Sequence, residues 1–305
     1  MNLRDLQYLI AVAEKRHFGK AAESCFVSQP TLSGQIKKLE QELGITLFER
    51  TNRSVEITPV GQGILQHARL MMEQADAIKQ LAQSFSDPLA GPLKLGAIPT
   101  ISPYLMPLIL KPLQQQYPQM RLIISEEQTD VLLQRLQNHE IDAALLATDH
   151  PETDFKKIKL YREPFWIAFP QKHAFYTQEE ITQQDLDNSD LLLLSEGHCL
   201  AQQAMQACHL SERKQQGEMA NLRASSLETL LQLVSAGYGT TLIPALALTG
   251  SWVSGRGIIT RELNLADTWR DISLYYRASF PRLTALETLT TTILSSLPNT
   301  VKKLN

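Results

Sequence analysis

The chain has 305 residues, is 43% hydrophobic and 20% charged, and carries a formal net charge of −3. This is ordinary for a soluble globular protein of two or three domains, and the near-neutral balance neither points to nor excludes a nucleic-acid partner. Three cysteines make no disulfide framework, Met1-Asn2-Leu3-Arg4-Asp5 carries charges in place of an apolar signal core, and no apolar run reaches membrane-spanning length. A cytoplasmic protein without a membrane partner is therefore expected. In that compartment a disulfide is usually transient and redox-sensing.

Residues 1–58 read as three short helices followed by a hairpin. Leu3, Leu6, Tyr8, Leu9, Ile10 and Val12 supply the apolar positions of a first helix. Phe18–Ser24 reads as a short second helix, and Cys25-Phe26-Val27 as a compact turn with apolar anchors. Ser28 is the expected N-cap of a third helix, with Pro30 in its first turn, where the missing N–H costs nothing. Leu32, Ile36 and Leu39 take core spacing through Glu40, while Gln29, Thr31, Ser33, Gln35, Lys37 and Lys38 face outward. A short helix, a tight turn and a helix with a hydrogen-bonding, basic outer side form a helix-turn-helix, which reads double-stranded DNA. Gly44–Arg50 and Ser54–Thr58 are expected as strands around Thr51-Asn52-Arg53, a wing. The competing reading is a three-helix bundle with a solvated polar face, and charge does not separate the two.

Over residues 59–87, Ile64, Ala68, Met71, Ala75, Ile78, Ala82 and Phe85 recur at alternating steps of four and three. That is the a/d seam of a coiled coil. With no nearby element offering a matching stripe, a linker helix pairing with its twin in a dimer is predicted. Asp87-Pro88 ends it and Ala90-Gly91-Pro92 is a hinge.

From residue 92 to 305, strand and helix patterns alternate: Leu93–Ile98, Pro103–Gln116, Arg121–Ser125, Asp130–Asn138 and Ile141–Leu146. An α/β domain with parallel strands follows. Tyr161–Phe169 passes into a second lobe (about 163–267), and Asp271–Tyr276 with Leu283–Leu297 returns to the first (about 92–162 and 268–305). Such a two-lobed domain has a cleft, with ligands beyond the carboxyl ends of strands. Thr100 and Thr129 follow the first two strands and could both face it.

Two of the three cysteines lie in Ser195–His209, each beside a histidine. Between Cys199 and Cys208, Leu200–Ala207 is a good helix former. Nine helical residues would hold the thiols roughly 13 Å apart along the axis, whereas a disulfide needs Cα atoms within about 7 Å. If the two react with one another, oxidation is coupled to unwinding. Other readings stand beside this one. Both could be unrelated buried small hydrophobes, or His198, Cys199, Cys208 and His209 could hold a metal, although the pairs lack the short spacing of structural zinc sites. No Cys-x-x-Cys is present, which disfavours a thioredoxin-type enzyme.

The run Ala21-Ala22…Ser28-Gln29-Pro30-Thr31-Leu32-Ser33-x-Gln35-Ile36-x-x-Leu39-Glu40, followed by Gly44-x-x-Leu47-Phe48-x-Arg50, resembles the LysR-type bacterial transcription regulators. Glu196-Gly197-His198-Cys199-Leu200-x-x-Gln203-Ala204-Met205-x-x-Cys208, Ile98-Pro99-Thr100, Ser226–Leu230 and Leu242–Ala247 resemble the hydrogen-peroxide-sensing members of that family. The resemblance spans the chain. It implies a winged helix-turn-helix, a coiled-coil linker and a two-lobed, periplasmic-binding-protein-like regulatory domain.

For the head, the resemblance implies that the helix from Ser28 enters the major groove. Gln29, Thr31 and Ser33 would then reach base edges beside Pro30, while Lys37, Arg50 and Arg53 hold phosphates. For the sensor it implies a peroxide-reactive Cys199, a resolving Cys208, and Thr100, Thr129, Arg270 and His198 binding peroxide or assisting the thiolate. The segment between Cys208 and Arg223 is longer than in familiar members. It lacks an expected histidine, with Glu218 or Asn221 in its place. Implied partners are a second copy in a dimer or tetramer, RNA polymerase and a disulfide reductant such as glutaredoxin. No cofactor, metal or enzymatic turnover is implied. Many relatives instead read a small organic effector in the cleft, and a thiol-dependent peroxidase is a third class to weigh.

Overall fold

The computed structural model of the chain describes residues 1–50, 55–84, 89–151, 154–187, 189–195, 197–207, 223–249 and 257–304. The chain divides into two compact units, Met1–Asp87 and Pro88–Asn305.

In the first unit, α1 (Leu3–Lys15), α2 (Phe18–Ser24) and α3 (Gln29–Leu43) pack around Leu6, Leu9, Val12, Ala21, Leu32, Ile36 and Leu39. Helix α1 starts in a capping box in which Asn2 and Asp5 satisfy each other's backbone N–H groups. Ser28 caps α3 by accepting from the Thr31 N–H at 3.3 Å. The helix runs past Glu40 to Leu43 and stops at Gly44, whose φ of 69° is the left-handed terminus that glycine favours. Gly44–Leu47 is therefore the exit from the helix, not strand as the sequence suggested. The wing pairs only β1 (Phe48–Arg50) with β2 (Val55–Ile57), antiparallel.

Helix α2 ends differently. The Phe26 N–H donates to Glu23 O at 3.1 Å and the Val27 N–H to Ala22 O at 3.0 Å, a Schellman closure with Phe26 at φ 55°. For a residue other than glycine that conformation costs roughly 1–2 kcal/mol. Cys25 and Val27 pack against the core as expected, but Phe26 does not anchor the turn: it is 96% exposed.

Helix α4 (Pro59–Ser84) corrects part of the coiled-coil reading. α1 does offer it a matching stripe. Leu65 and Ala68 are buried in the head's own core, with Ile64 and Met72 against it, and Arg69 reaches Glu14 at 3.9 Å. Further along, Met71 and Ile78 are exposed. Phe85 and the Asp87-Pro88 helix stop lie outside the described residues.

The second unit begins with β3 (Gly91–Ala97), α5 (Ser102–Gln116), β4 (Met120–Glu126), α6 (Thr129–Gln137) and β5 (Ala143–Leu146). Strand β3 runs parallel to β4 and to β5, as expected of two helical crossovers. After β6 (Phe155–Pro170) come α7 (Gln183–Asp187), β7 (Leu193–Leu194), α8 (Cys199–Ala207), β8 (Arg223–Ala224), α9 (Leu227–Ser235), β9 (Thr241–Pro244) and β10 (Ile258–Glu262). The chain closes with β11 (Trp269–Arg277), α10 (Leu283–Ser296) and β12 (Lys302–Lys303).

The long strand β6 creates the two lobes. Its first part, to Pro164, pairs antiparallel with β11, which also pairs with β5. From Phe165 onward it pairs with β9 and β10. The first sheet is therefore mixed, with parallel strands only where helices cross over. Leu93, Leu95, Leu145, Leu160, Tyr161, Phe165 and Ile167 fill the core along this axis.

Candidate functional site

Cys199 is the first residue of α8. Leu200, Ala201 and Ala204 turn inward and are buried, which seats the helix on the core and brings the half-buried Cys199 against it. The turn before it depends on Gly197, at φ 93°, where an added Cβ would stand 2.4 Å from the Gln128 side chain. That left-handed conformation is the one glycine favours. Thr129, the first residue of α6, and Thr100, just after β3, are both buried. Thr100, Thr129, His198 and Cys199 line one narrow crevice. The crevice adjoins a cleft of about 890 Å³ bordered by Cys199, Met205, Thr148, His150, Trp269 and Arg270.

Arg270 joins the parts. Its Nη1 donates to Thr100 Oγ1 at 2.8 Å, its Nη2 to Thr100 O at 2.9 Å, and its Nε to Glu163 Oε2 at 2.9 Å. The second carboxylate oxygen of Glu163 accepts from the Leu246 N–H at 2.7 Å. Both charged side chains are wholly buried. The sequence reading missed Glu163; its one signal was a carboxylate inside an apolar crossing strand. Because Thr100 Oγ1 accepts from Arg270, its own proton is left to donate. Among the described residues, the buried Thr129 Oγ1 has no partner other than the Cys199 thiol.

Burial pushes the Cys199 thiol above its ordinary pKa, against the pull of Arg270, the Thr129 hydroxyl and the backbone N–H groups at the start of α8. His198 differs from expectation. Burial lowers its pKa, against a hydrogen bond to the Ser225 backbone, which disfavours the charged imidazole beside the thiol. The Arg270 charge is the one that pulls the Cys199 pKa down. Gln203, on α8, donates to Ala147 O at 2.6 Å and ties the helix to the end of β5.

In the head, Ser28, Gln29, Pro30, Thr31 and Lys37 are exposed and Ser33 is half-buried, all on or beside the outer side of α3. Ser28 and Thr31 hydroxyls bond to each other at 2.7 Å. Arg50 ends β1, but its side chain, Arg53, Glu196, Cys208, His209, Glu218 and Asn221 lie outside the described residues. Among the described residues, no helix is long and apolar enough to cross a membrane, and no cluster of three metal-ligating side chains occurs.

Residues 3–62 match the bacterial regulatory helix-turn-helix protein, lysR family, and residues 86–298 match the LysR substrate binding domain. The chain is 41% identical over 281 residues to the hydrogen peroxide-inducible genes activator of Dickeya chrysanthemi, covering 92% of this chain and 91% of that one. It is 40% identical over 289 residues to the DNA-binding transcriptional dual regulator OxyR of Escherichia coli K12, covering 95% and 93%. Full-length Pseudomonas aeruginosa OxyR with a cysteine-to-aspartate change superimposes with a TM-score of 0.81 at 37% identity, covering 100% of this chain and 98% of that one. A peroxide-bound cysteine-to-serine variant of Corynebacterium glutamicum OxyR gives a TM-score of 0.65 at 34% identity, covering 97% and 92%. The chain belongs to the LysR family of bacterial helix-turn-helix transcription regulators, in the group of its OxyR members.

Proposed function

We propose that the protein is a transcription regulator that senses hydrogen peroxide at Cys199 and controls antioxidant genes through double-stranded DNA. One observation carries the reading: a single thiol at a helix start faces the Thr129 hydroxyl in a crevice shared with Thr100, with Arg270 behind them. Two hydroxyls can donate to or accept from the peroxide oxygens while the guanidinium favours the thiolate. The thiolate attacks one oxygen, the O–O bond breaks, and the departing hydroxide takes a proton to leave as water. Cys199 becomes a sulfenic acid, and attack by the Cys208 thiol releases a second water and forms the disulfide.

Helix α8 spans all nine residues from Cys199 to Ala207, immediately before Cys208. Its rise of about 13 Å exceeds the roughly 7 Å reach of a disulfide. Bond formation therefore unwinds α8 and repacks the surface it supports. The active assembly is a homodimer or, as a pair of dimers, a homotetramer. It engages RNA polymerase and is reset by a dithiol reductant of the glutaredoxin kind. In the head, Gln29, Thr31 and Ser33 read bases next to Pro30 and the Ser28 cap, while Lys37, Arg50 and Arg53 grip phosphate. One oxidant equivalent is consumed per switch, so the chain is a sensor and not a peroxidase.

Mass-spectrometric thiol counting before and after one equivalent of peroxide, with DNA footprinting in both states, tests this. Loss of the Cys199 and Cys208 thiols with a changed footprint is expected. Sustained peroxide turnover, or saturable binding of an organic effector without thiol loss, would replace it. The open cleft beside Cys199 is what gives the effector alternative its standing. A narrower check is Thr129→Val, expected to slow Cys199 oxidation about ten- to a hundredfold, the worth of one charge-assisted hydrogen bond. Stopped-flow oxidation of the variant measures it, and an unchanged rate removes Thr129 from the site.

A further inference from the structure

The turn that joins α2 to α3 holds a residue chosen against the backbone. Phe26 occupies a left-handed position, φ 55°, that glycine or asparagine fills without strain, and its ring is 96% exposed, so no burial offsets the choice. The ring stands two residues ahead of Ser28, the cap of α3, and its sequence neighbours Ser24, Ser28 and Gln29 are exposed polar residues. One ring among hydroxyls and amides is too small an apolar patch to dock a protein. It is the size to meet one methyl group.

We propose that Phe26 is a DNA-contacting residue whose ring packs on the C5-methyl of a thymine at the margin of each half-site. In the major groove that methyl is the one apolar group a base presents. The start of a recognition helix is the part of a helix-turn-helix that meets base edges, and Phe26 lies just ahead of it. The inference rests on the DNA-binding reading above and adds a base preference that the polar face of α3 does not supply.

The test uses the full chain and the duplex it selects from a randomised pool, with Phe26→Asn and Phe26→Gly as variants. Both are expected to bind that duplex about tenfold more weakly, while Phe26→Asn unfolds at the same or a higher temperature because the left-handed strain is relieved. Replacing thymines singly by uracil should reveal one position per half-site where loss of the methyl weakens the wild type about fourfold and leaves Phe26→Gly unaffected. The inference is overturned if either variant binds like the wild type, if Phe26→Asn is less stable, or if no thymine methyl is felt by the wild type alone. If the wild-type chain selects no duplex, it is the regulator reading that fails.

Discussion

Cys199→Ser is expected to abolish peroxide-dependent promoter activation while leaving operator binding intact. Serine keeps the size of the side chain and the start of α8, so the reduced arrangement and the head are preserved. What disappears is the nucleophile, and a hydroxyl cannot replace it because the reacting species is the anion. In a reporter strain the induction ratio should fall to about one. An unaltered response would sink the sensing role of this thiol. The wild type carries a linked pH signature. Burial holds the Cys199 pKa above its ordinary value. The thiolate fraction, and with it the oxidation rate, should therefore climb about tenfold per pH unit through neutrality and level off only once the raised pKa is passed. For stability the sign is opposite. The folded state favours the protonated thiol, so its contribution is complete below the unfolded pKa and is lost as pH rises beyond it.

Glu163→Leu is expected to destabilise the regulatory unit by about 3–5 kcal/mol, the penalty for leaving one member of a buried ion pair uncompensated. Arg270 would keep its bonds to Thr100 but lose the carboxylate at 2.9 Å, and the Leu246 N–H would lose its acceptor at 2.7 Å. Denaturant unfolding of the reduced protein should show the midpoint falling sharply. Glu163→Gln should recover part of the loss, since one amide oxygen can still accept. A midpoint shift near zero for Glu163→Leu would mean that Arg270 finds another partner or water. It would also remove the reason for expecting a rigid Thr100.

The parts of this molecule legible from sequence are those set by local pattern. The Ser28 cap with Pro30 located α3, the alternation of apolar runs located β3 to β5, and the helix-forming run Leu200–Ala207 located α8 between the two cysteines. Thr100 and Thr129 could be placed at strand ends because side chains after parallel strands face the same edge. What was not legible depends on long-range pairing. Glu163 meets Arg270 across 107 residues, and nothing periodic announces it. The first half of α4 satisfies both a coiled-coil pattern and a core pattern, and only the stripe on α1 decides which it uses. His198 looked like a cation by residue type; its burial, which no sequence shows, disfavours the charged form. Phe26 looked like core by residue type, and the helix-closing turn around it faces it outward.

The fusion of Leu65 and Ala68 into the head has a mechanical result. Since the start of α4 shares a core with α1, the reading head cannot swivel on the linker; the two move as one lever. Its 26 residues make an arm of about 39 Å at the helical rise. A tilt of about 10° at the far end would carry the head roughly 7 Å, or about two base-pair steps along a duplex. A small rearrangement at the end of α4 would thus become a whole-register shift on the operator.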